Sequence, residues 1–403
     1  MAESQSQGPG PGVNPLLTGV RVAEFSLHGT APFCCMLLAF MGAEVIRVEN
    51  RYDVRDIFRV RQLWPFNEIN FNKKGVSLDL KHPEAVSLAR RLVGKSDVVV
   101  ENFSPGVMAK FGIDYPSLRE VKPDLVMLSC TGFGQDGPEK DFASIAGTFA
   151  AMGGLSHITG YPDGIPTEQR SIFDMIVGQV MAFAIVSALI HRKRTGQGQY
   201  IDFSAREAIA SLIGDVAMEY TLSGRIPGRK GNRDDIMAPH NCYRCAGEDR
   251  WVSIAVATDD EWRALCRAMG RPELAQEEKF ADRVSRWKNQ EEIDEFVNGW
   301  TEGQTPCEVT EKLQRVGVAA FPSMSSADIF ADRHLKERGF LVEVDHPQMG
   351  KRFGSGYPWK FHDRPNPPIH PAPDLGQDNQ YVFGQLLGLS QAEVEALEKK
   401  KAI

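Results

Sequence analysis

The chain has 403 residues, 42% hydrophobic and 25% charged, an ordinary globular composition with length for two or three domains. A formal charge of -7 and a pI near 5.8 exclude a broad nucleic-acid surface, which needs clustered Lys and Arg; a polyanionic ligand must find local cations. Seven scattered cysteines, an odd number with no secretory leader before them, are read as reduced thiols of a cytoplasmic protein.

The tail "MAESQSQGPGPG" is too polar for a signal peptide and too poor in apolar residues to fold, so residues 1–14 are set aside as a disordered tail. Next come a strand "GVRVAEF", a loop "SLHGTAP", an apolar helix "FCCMLLAFMG" and a strand "AEVIRVEN", the pattern of a βαβ unit. The pattern repeats with "KGVSLDL" as strand, "KHPEAVSLARRLVGK" as helix, "SDVVVENF" as strand, "PGVMAKFG" as short helix and "DLVMLSCTGFG" as strand. These elements predict a doubly wound α/β layer whose ligand crevice lies at the carboxyl ends of its strands.

The segment "SIFDMIVGQVMAFAIVSALIHRKRTGQGQ" follows, with an apolar run at 175–190. The run falls short of the roughly 18 apolar residues of a membrane span, so a buried core helix is expected and no membrane partner. After a Gly turn, "QYIDFSAREAIASLIGDVAMEY" reads as strand and helix, and the basic, Gly-rich "LSGRIPGRKGNRDD" as a linker. Two strands in "CYRCAGEDRWVSIAVA" and helices from 259 to about 316 predict a smaller α+β domain at 230–330, after a large domain at 15–224. The Pro-rich "HDRPNPPIHPAPDLG" and the closing helix "SQAEVEALEKKKAI" make up 331–403, expected to lie over the first domain or a partner chain.

Several candidate chemistries have plain structural readings. "GFGQDG" matches the dinucleotide glycine pattern, but no acidic residue follows about twenty residues on at a strand end. Asp163 alone is close, in a "YPDG" turn, so the glycines are read as serving a tight turn. "CYRC", with Cys242 and Cys245 and His240 nearby, has no second Cys pair to complete a zinc site, and no metal is expected. No G-x-S-x-G elbow is present. His28, in the first strand–helix loop, and His157 are candidate bases or merely hydrogen-bonded loop residues.

Asp174 stands apart. In "SIFD", Ser171 and an acid three residues later fit a capping box. The alternative is that a helix N-terminus keeps Asp174 ionised in a dry pocket, where a poorly solvated carboxylate is a nucleophile for acyl transfer.

The ordered motifs "GVRVAEFS" with "GAEVIRVEN", "NKKGVSLDLKHPEA", "VVVENFSPGVMAKFG", "LSCTGFGQDGP", "TGYPDGIP", "FDMIVGQVMAFAIVSALIHRKRTGQGQYIDFSAREA" and "HPAPDLGQDNQYVFGQLLGLSQAEVEAL" resemble the family III CoA-transferases from about Leu17 to the C-terminus. The resemblance implies a Rossmann-like large domain, a small domain joined by long linkers, and an interlocked homodimer or a heteromer with a paralogous subunit. It implies that Asp174 is the nucleophile, acylated by an acyl-CoA donor and then converted to an aspartyl-CoA thioester, with CoA as substrate and no permanently bound cofactor. It places CoA contacts at Gly29 and Thr30 with His28 beside them, at Asn50, Leu78 and Lys81, at Asn102, Phe103 and Ser104, and at Lys110. Asn50 and Lys110 stand where the family often has Arg, and Lys keeps the charge but loses the bidentate fork.

Two departures narrow the reading. Ile145 or a neighbour replaces a His that racemases of the superfamily use as a base, which disfavours a 2-methylacyl-CoA racemase. The glycine lid of some members is also absent. The expected activity is transfer of CoA from a donor such as succinyl-CoA to an organic acid, with a dicarboxylate or substituted succinate suggested by "RYDVRDIFRVRQLWPFNEINF". The alternatives are the racemase and a CoA-binding subunit of a heteromeric transferase.

Overall fold

Runs such as "VVVE" and "VMLSCT" are apolar on consecutive positions, as strands buried on both faces must be. The computed structural model, which describes residues 14–52, 59, 64–167, 172–364 and 366–403, arranges them as a sheet of six parallel strands. The strands are β1 (Arg21–Phe25), β2 (Glu44–Glu49), β3 (Lys73–Ser77), β4 (Val98–Glu101), β5 (Val126–Thr131) and β6 (Gln199–Ser204). Their order is β3-β2-β1-β4-β5-β6, so the direction of winding reverses between β1 and β4. At such a switch point the loops after neighbouring strands diverge and leave a crevice at the carboxyl ends.

Alternation along each strand divides the core. Val22, Val45, Val98, Val126 and Leu128 face helix α1 (Thr30–Phe40) and the long helix Ile172–Thr195, whereas Ala23, Ile46, Val76, Val99 and Met127 face helix Pro83–Gly94 and the C-terminal residues Val382, Phe383 and Val394. The chain divides into two compact units: Met1–Leu155 with Glu168–Ser223 and His334–Ile403, and Ser156–Thr167 with Gly224–Arg333. The second unit contains an antiparallel three-stranded sheet, β7 (His240–Arg244), β8 (Trp251–Ala255) and β9 (Ala319–Pro322), packed with helices around Trp262, Leu265 and Phe280. The segment 156–167, expected within the large domain at 15–224, falls in this smaller unit.

Within the first unit, the C-terminal segment closes the outer edge of β3. Gly75 N donates to Asp378 Oδ2 at 2.8 Å, Ser77 N donates to Asn379 Oδ1 at 3.0 Å, and Asp378 N donates to Gly75 O at 2.9 Å. Covering an edge in this way satisfies backbone groups that would otherwise template pairing with another chain.

The helix Ile172–Thr195 corrects one expectation. At 24 residues it is long and apolar enough, by length and composition, to cross a membrane, although its core run at 175–190 read as too short. One face, including Phe173, Val177, Gly178, Met181 and Ile185, is buried in the core shared with α1, while Phe183 and Ile190 are exposed. Gly178 permits the close approach: a Cβ there would lie 2.8 Å from Thr30 O and 3.2 Å from Cys34 N.

A buried ion-pair network fixes the other side of α1. Arg47 Nη1 lies 2.7 Å from Glu24 Oε1 and Lys73 Nζ lies 2.8 Å from Glu24 Oε2, with all three side chains removed from solvent. Lys73 Nζ also donates to Pro32 O at 2.7 Å, tying β3 to the first turn of α1. Burial lowers the Lys73 ammonium below its ordinary value, and Glu24 opposes that by favouring its charge.

Candidate active site

Asp174 lies in the first turn of Ile172–Thr195, one helical turn before Gly178 and on the same face. The approach that Gly178 allows therefore also brings Asp174 to the start of α1. Thr30 Oγ1 donates a short hydrogen bond to Asp174 Oδ1. The N-cap Gly29 packs under the other oxygen so closely that a Cβ there would lie 2.8 Å from Oδ2. No hydrogen bond reaches Oδ2 from the described residues. The carboxylate opens on a cavity of about 350 Å³ lined by His28, Gly29, Thr30, Asn102, Thr131 and Ile145 among others.

A second, smaller cavity of about 100 Å³ adjoins the β1–α1 loop and is lined by Leu27, Asn50, Leu78, Asp79, Lys81, Phe103 and Phe111 among others. Its walls are mainly apolar, and Lys81 supplies a cation at its rim. Asn50 Nδ2 donates to Asp79 Oδ1 at 3.1 Å, and Lys81 N donates to the same oxygen at 3.1 Å. Asp79 is not among the contacts the resemblance implies, although its position inside "SLDLK", between Leu78 and Lys81, points to it.

The predicted site residues thus separate into two groups. His28, Gly29, Thr30 and Asn102 gather around Asp174, and Asn50, Leu78, Lys81 and Phe103 line the second cavity. Ser104 and Lys110 line neither; both are exposed, Ser104 just before the short helix Val107–Lys110 and Lys110 at its end. Asn102 spends both ends of its amide on the backbone of Leu27: Leu27 N donates to Oδ1 at 2.9 Å and Nδ2 donates to Leu27 O at 2.8 Å.

The capping expectation for Ser171 falls outside the described residues, but the Asp174 carboxylate is engaged by Thr30. Gly134 and Gly137 of the glycine pattern have φ of +88° and +83°, so they make the turn after β5 that the sequence suggested. Cys242 Sγ lies 3.7 Å from Ser323 Oγ, and Cys245 is buried in the core of the second unit. His157 lies in the helix Leu155–Ile158 and belongs to the smaller unit.

Opposing influences act on the Asp174 carboxyl. Burial raises its carboxyl above the ordinary value of 3.8, and the Thr30 hydroxyl and the neighbouring His28 pull it down only in part. Glu101, at the end of β4, is pushed up to about 7 by burial, against the Ser129 hydroxyl and the Phe103 N–H that favour its charge. A carboxyl whose folded-state pKa is raised makes the folded chain bind more protons than the unfolded one between the two values, so stability falls as pH rises through that window. Asp174→Asn should therefore melt higher than the parent above the window and lose this advantage as the pH falls toward the ordinary carboxylate value of 3.8. Thermal melts of both proteins across that range check the sign.

The sequence matches the CoA-transferase family III profile over residues 17–379. The chain belongs to CoA-transferase family III. This transferase is 34% identical over 395 residues to succinyl-CoA--D-citramalate CoA-transferase of Chloroflexus aurantiacus, covering 96% of this chain and 98% of that protein. It is 32% identical over 400 residues to the succinyl-CoA--L-malate CoA-transferase beta subunit of the same organism, covering 96% and 98%. Its fold matches the crystal structure of a CAIB/BAIF family protein from Brucella suis with a TM-score of 0.84 and 30% identity, covering 93% of this transferase and 100% of that chain. The α/β fold with a six-stranded parallel sheet, the family and the class of enzyme expected from the sequence are thus established.

Proposed function

We propose that this transferase moves CoA from succinyl-CoA to a four- or five-carbon dicarboxylate, with Asp174 as the group that is acylated. The observation that carries the reading is the Asp174 carboxylate, with one oxygen held by Thr30 and the other without a donor among the described residues, facing a cavity large enough for a small acyl group. The donor and the class of acceptor are supported by the names of the two relatives, since malate and citramalate are both substituted succinates.

In this mechanism an Asp174 oxygen attacks the thioester carbonyl of succinyl-CoA, the C–S bond breaks, and CoA thiolate leaves behind a mixed succinyl–aspartyl anhydride. The thiolate then attacks the aspartyl carbonyl and expels succinate, leaving CoA joined to Asp174 as a thioester. The acceptor carboxylate attacks that thioester, giving a second anhydride and releasing the thiolate. Attack of the thiolate on the acceptor's acyl carbon yields the new acyl-CoA and restores Asp174. Each exchange conserves an activated acyl group, so no nucleotide is consumed. The β1–α1 loop lies beside both cavities, and the smaller one, with Asn50, Lys81 and Phe103, is assigned to the nucleotide end of CoA. His28 and Gly29 then lie along the path to the thioester.

The subunit name of the second relative supports an alternative assembly, in which the chain works with a paralogous subunit instead of as a homodimer. Purified protein incubated with succinyl-CoA and a panel of acids tests both points. Exchange into malate, citramalate or another substituted succinate by the chain alone is expected. Exchange confined to small monocarboxylates contradicts the acceptor class, and activity only after addition of a second subunit replaces the homomeric reading by the heteromeric one.

A further inference from the structure

The carboxyl end of β1 leads into Leu27 and His28, and His28 has φ of +63°, a left-handed conformation that a residue with a Cβ adopts only when its surroundings hold it there. The restraint is visible on both sides. Before it, Leu27 is clamped by the two hydrogen bonds from the Asn102 amide, at 2.9 and 2.8 Å, which extend the β1–β4 pairing by one side-chain rung. After it, the first turn of α1 is pinned by Lys73 through Pro32 O. Thr30, between these anchors, is buried, and its hydroxyl donates to Asp174 Oδ1.

The two Asp174 oxygens are therefore not equivalent. Oδ1 has a donor and Oδ2 has none among the described residues, with the bare Cα of Gly29 beneath it. A donor hydrogen bond withdraws charge from the oxygen it binds and freezes rotation about the carboxylate axis. Nucleophilic attack then falls to the other oxygen.

We propose that Thr30 is a positioning residue, whose hydroxyl fixes Oδ1 of Asp174 and leaves Oδ2 as the attacking oxygen, and that Asn102 holds Thr30 in register by clamping Leu27. This departs from the assignment of Thr30 and Asn102 as direct CoA contacts, and it rests on the reading of Asp174 as the acylated group. His28 faces Asp174 from the loop and opposes the rise of its carboxyl, and Cys130, at the end of β5, has its thiol pushed well up by burial and further by Glu101, Cys34, Asp174 and Asp202. Glu101, at the end of β4, is the other raised carboxyl of this region, so the acid limb belongs to Asp174 only where it moves with Thr30. Helix Ala146–Met152 contributes no ionisable residue, and Arg206, on helix Ala205–Ala210, pairs with Glu139. Removing the Thr30 hydroxyl takes away a stabiliser of the ionised form, so the carboxyl must rise further.

The test compares Thr30→Val, Thr30→Ser and Asn102→Ala in the full-length protein, by the pH dependence of kcat/KM for succinyl-CoA. Thr30→Val is expected to lower kcat/KM about ten- to a hundredfold and to move its acid limb to higher pH, and Thr30→Ser to restore most of both. Asn102→Ala should move the limb in the same direction. The double variant Thr30→Val with Asn102→Ala should lose no more than the worse single variant, because the two act on one oxygen. An unmoved acid limb in Thr30→Val, no rescue by serine, or losses that multiply in the double variant would overturn the proposal. If Asn102→Ala does not fold, the two Thr30 variants decide. Hydroxylamine trapping on the same proteins separates the two levels. Trapping at Asp174 with an unmoved acid limb refutes the role of Thr30 alone, whereas loss of all trapping at Asp174 in the parent refutes the nucleophile.

Discussion

Asp174→Ala is expected to lower kcat for CoA exchange by roughly 10⁴- to 10⁶-fold, the scale seen when a covalent nucleophile is removed while the surrounding binding site is kept. The loss should appear in kcat, because the smaller cavity and the loop that lines it are untouched. Binding of CoA, measured by calorimetry, should change by less than about threefold, well under the loss in rate. Asp174→Glu is the sharper companion. One added methylene pushes the carboxylate away from Thr30 and Gly29, and a displacement of about 1 Å costs about 10²-fold in a reaction that depends on position. A role for Asp174 confined to capping its own helix predicts the opposite pattern: altered melting and nearly unchanged exchange.

Gly178→Val should be the most damaging single change outside the carboxylate itself. Any Cβ at this position meets the Thr30 carbonyl and the Cys34 amide, which are backbone atoms of α1 and cannot rotate out of the way. Overpacking of this kind costs about 1–3 kcal/mol, and in a unit of this size the melting midpoint should fall by roughly 3–10 °C. Because the atom struck belongs to Thr30, the helix carrying Asp174 is displaced from its partner, and activity should fall more than tenfold in the fraction that remains folded. Gly299→Ala is the control. Gly299 lies inside helix Gln290–Thr301 with no atom within 4 Å of a built Cβ, and the substitution should leave exchange intact and raise stability by about 0.4–1 kcal/mol. Melting curves and exchange rates measured on the same preparations distinguish the two glycines.

Much of the fold was legible because parallel strands buried on both faces write themselves as apolar runs. "VVVE" and "VMLSCT" could hardly be anything else between turn residues, and together with the intervening helices they specify the doubly wound layer. The closure of β3 by Asp378 and Asn379 was not legible. Its bonds join residues some three hundred positions apart, and a Pro-rich segment carries no periodicity that reveals which edge it will cover. The long helix, expected at 175–194, begins three residues earlier, at Ile172, so that Asp174 lies inside its first turn.

The candidate site was legible unevenly for the same physical reason. From spacing alone Asp174 is indistinguishable from a capping acid, and the family resemblance singled it out. Asn50, Lys81 and Phe103 share a cavity because "VEN", "SLDLK" and "ENF" end β2, β3 and β4, which flank the carboxyl end of β1 on its two sides. The hydrogen bonds of Thr30 and Asn102 are not contained in it. They depend on the close approach at Gly178, on a left-handed His28 and on the register of β4 beside β1, none of which leaves a mark in composition.

The most direct measurement is peptide mass spectrometry of the full-length protein after turnover with succinyl-CoA and quenching with hydroxylamine. Acylation or thioesterification of one carboxylate predicts a hydroxamate on the peptide containing Asp174, formed only when the acyl-CoA is present and absent from Asp174→Ala. Full exchange activity with no modification at that aspartate, or with the hydroxamate on another residue, would contradict the account.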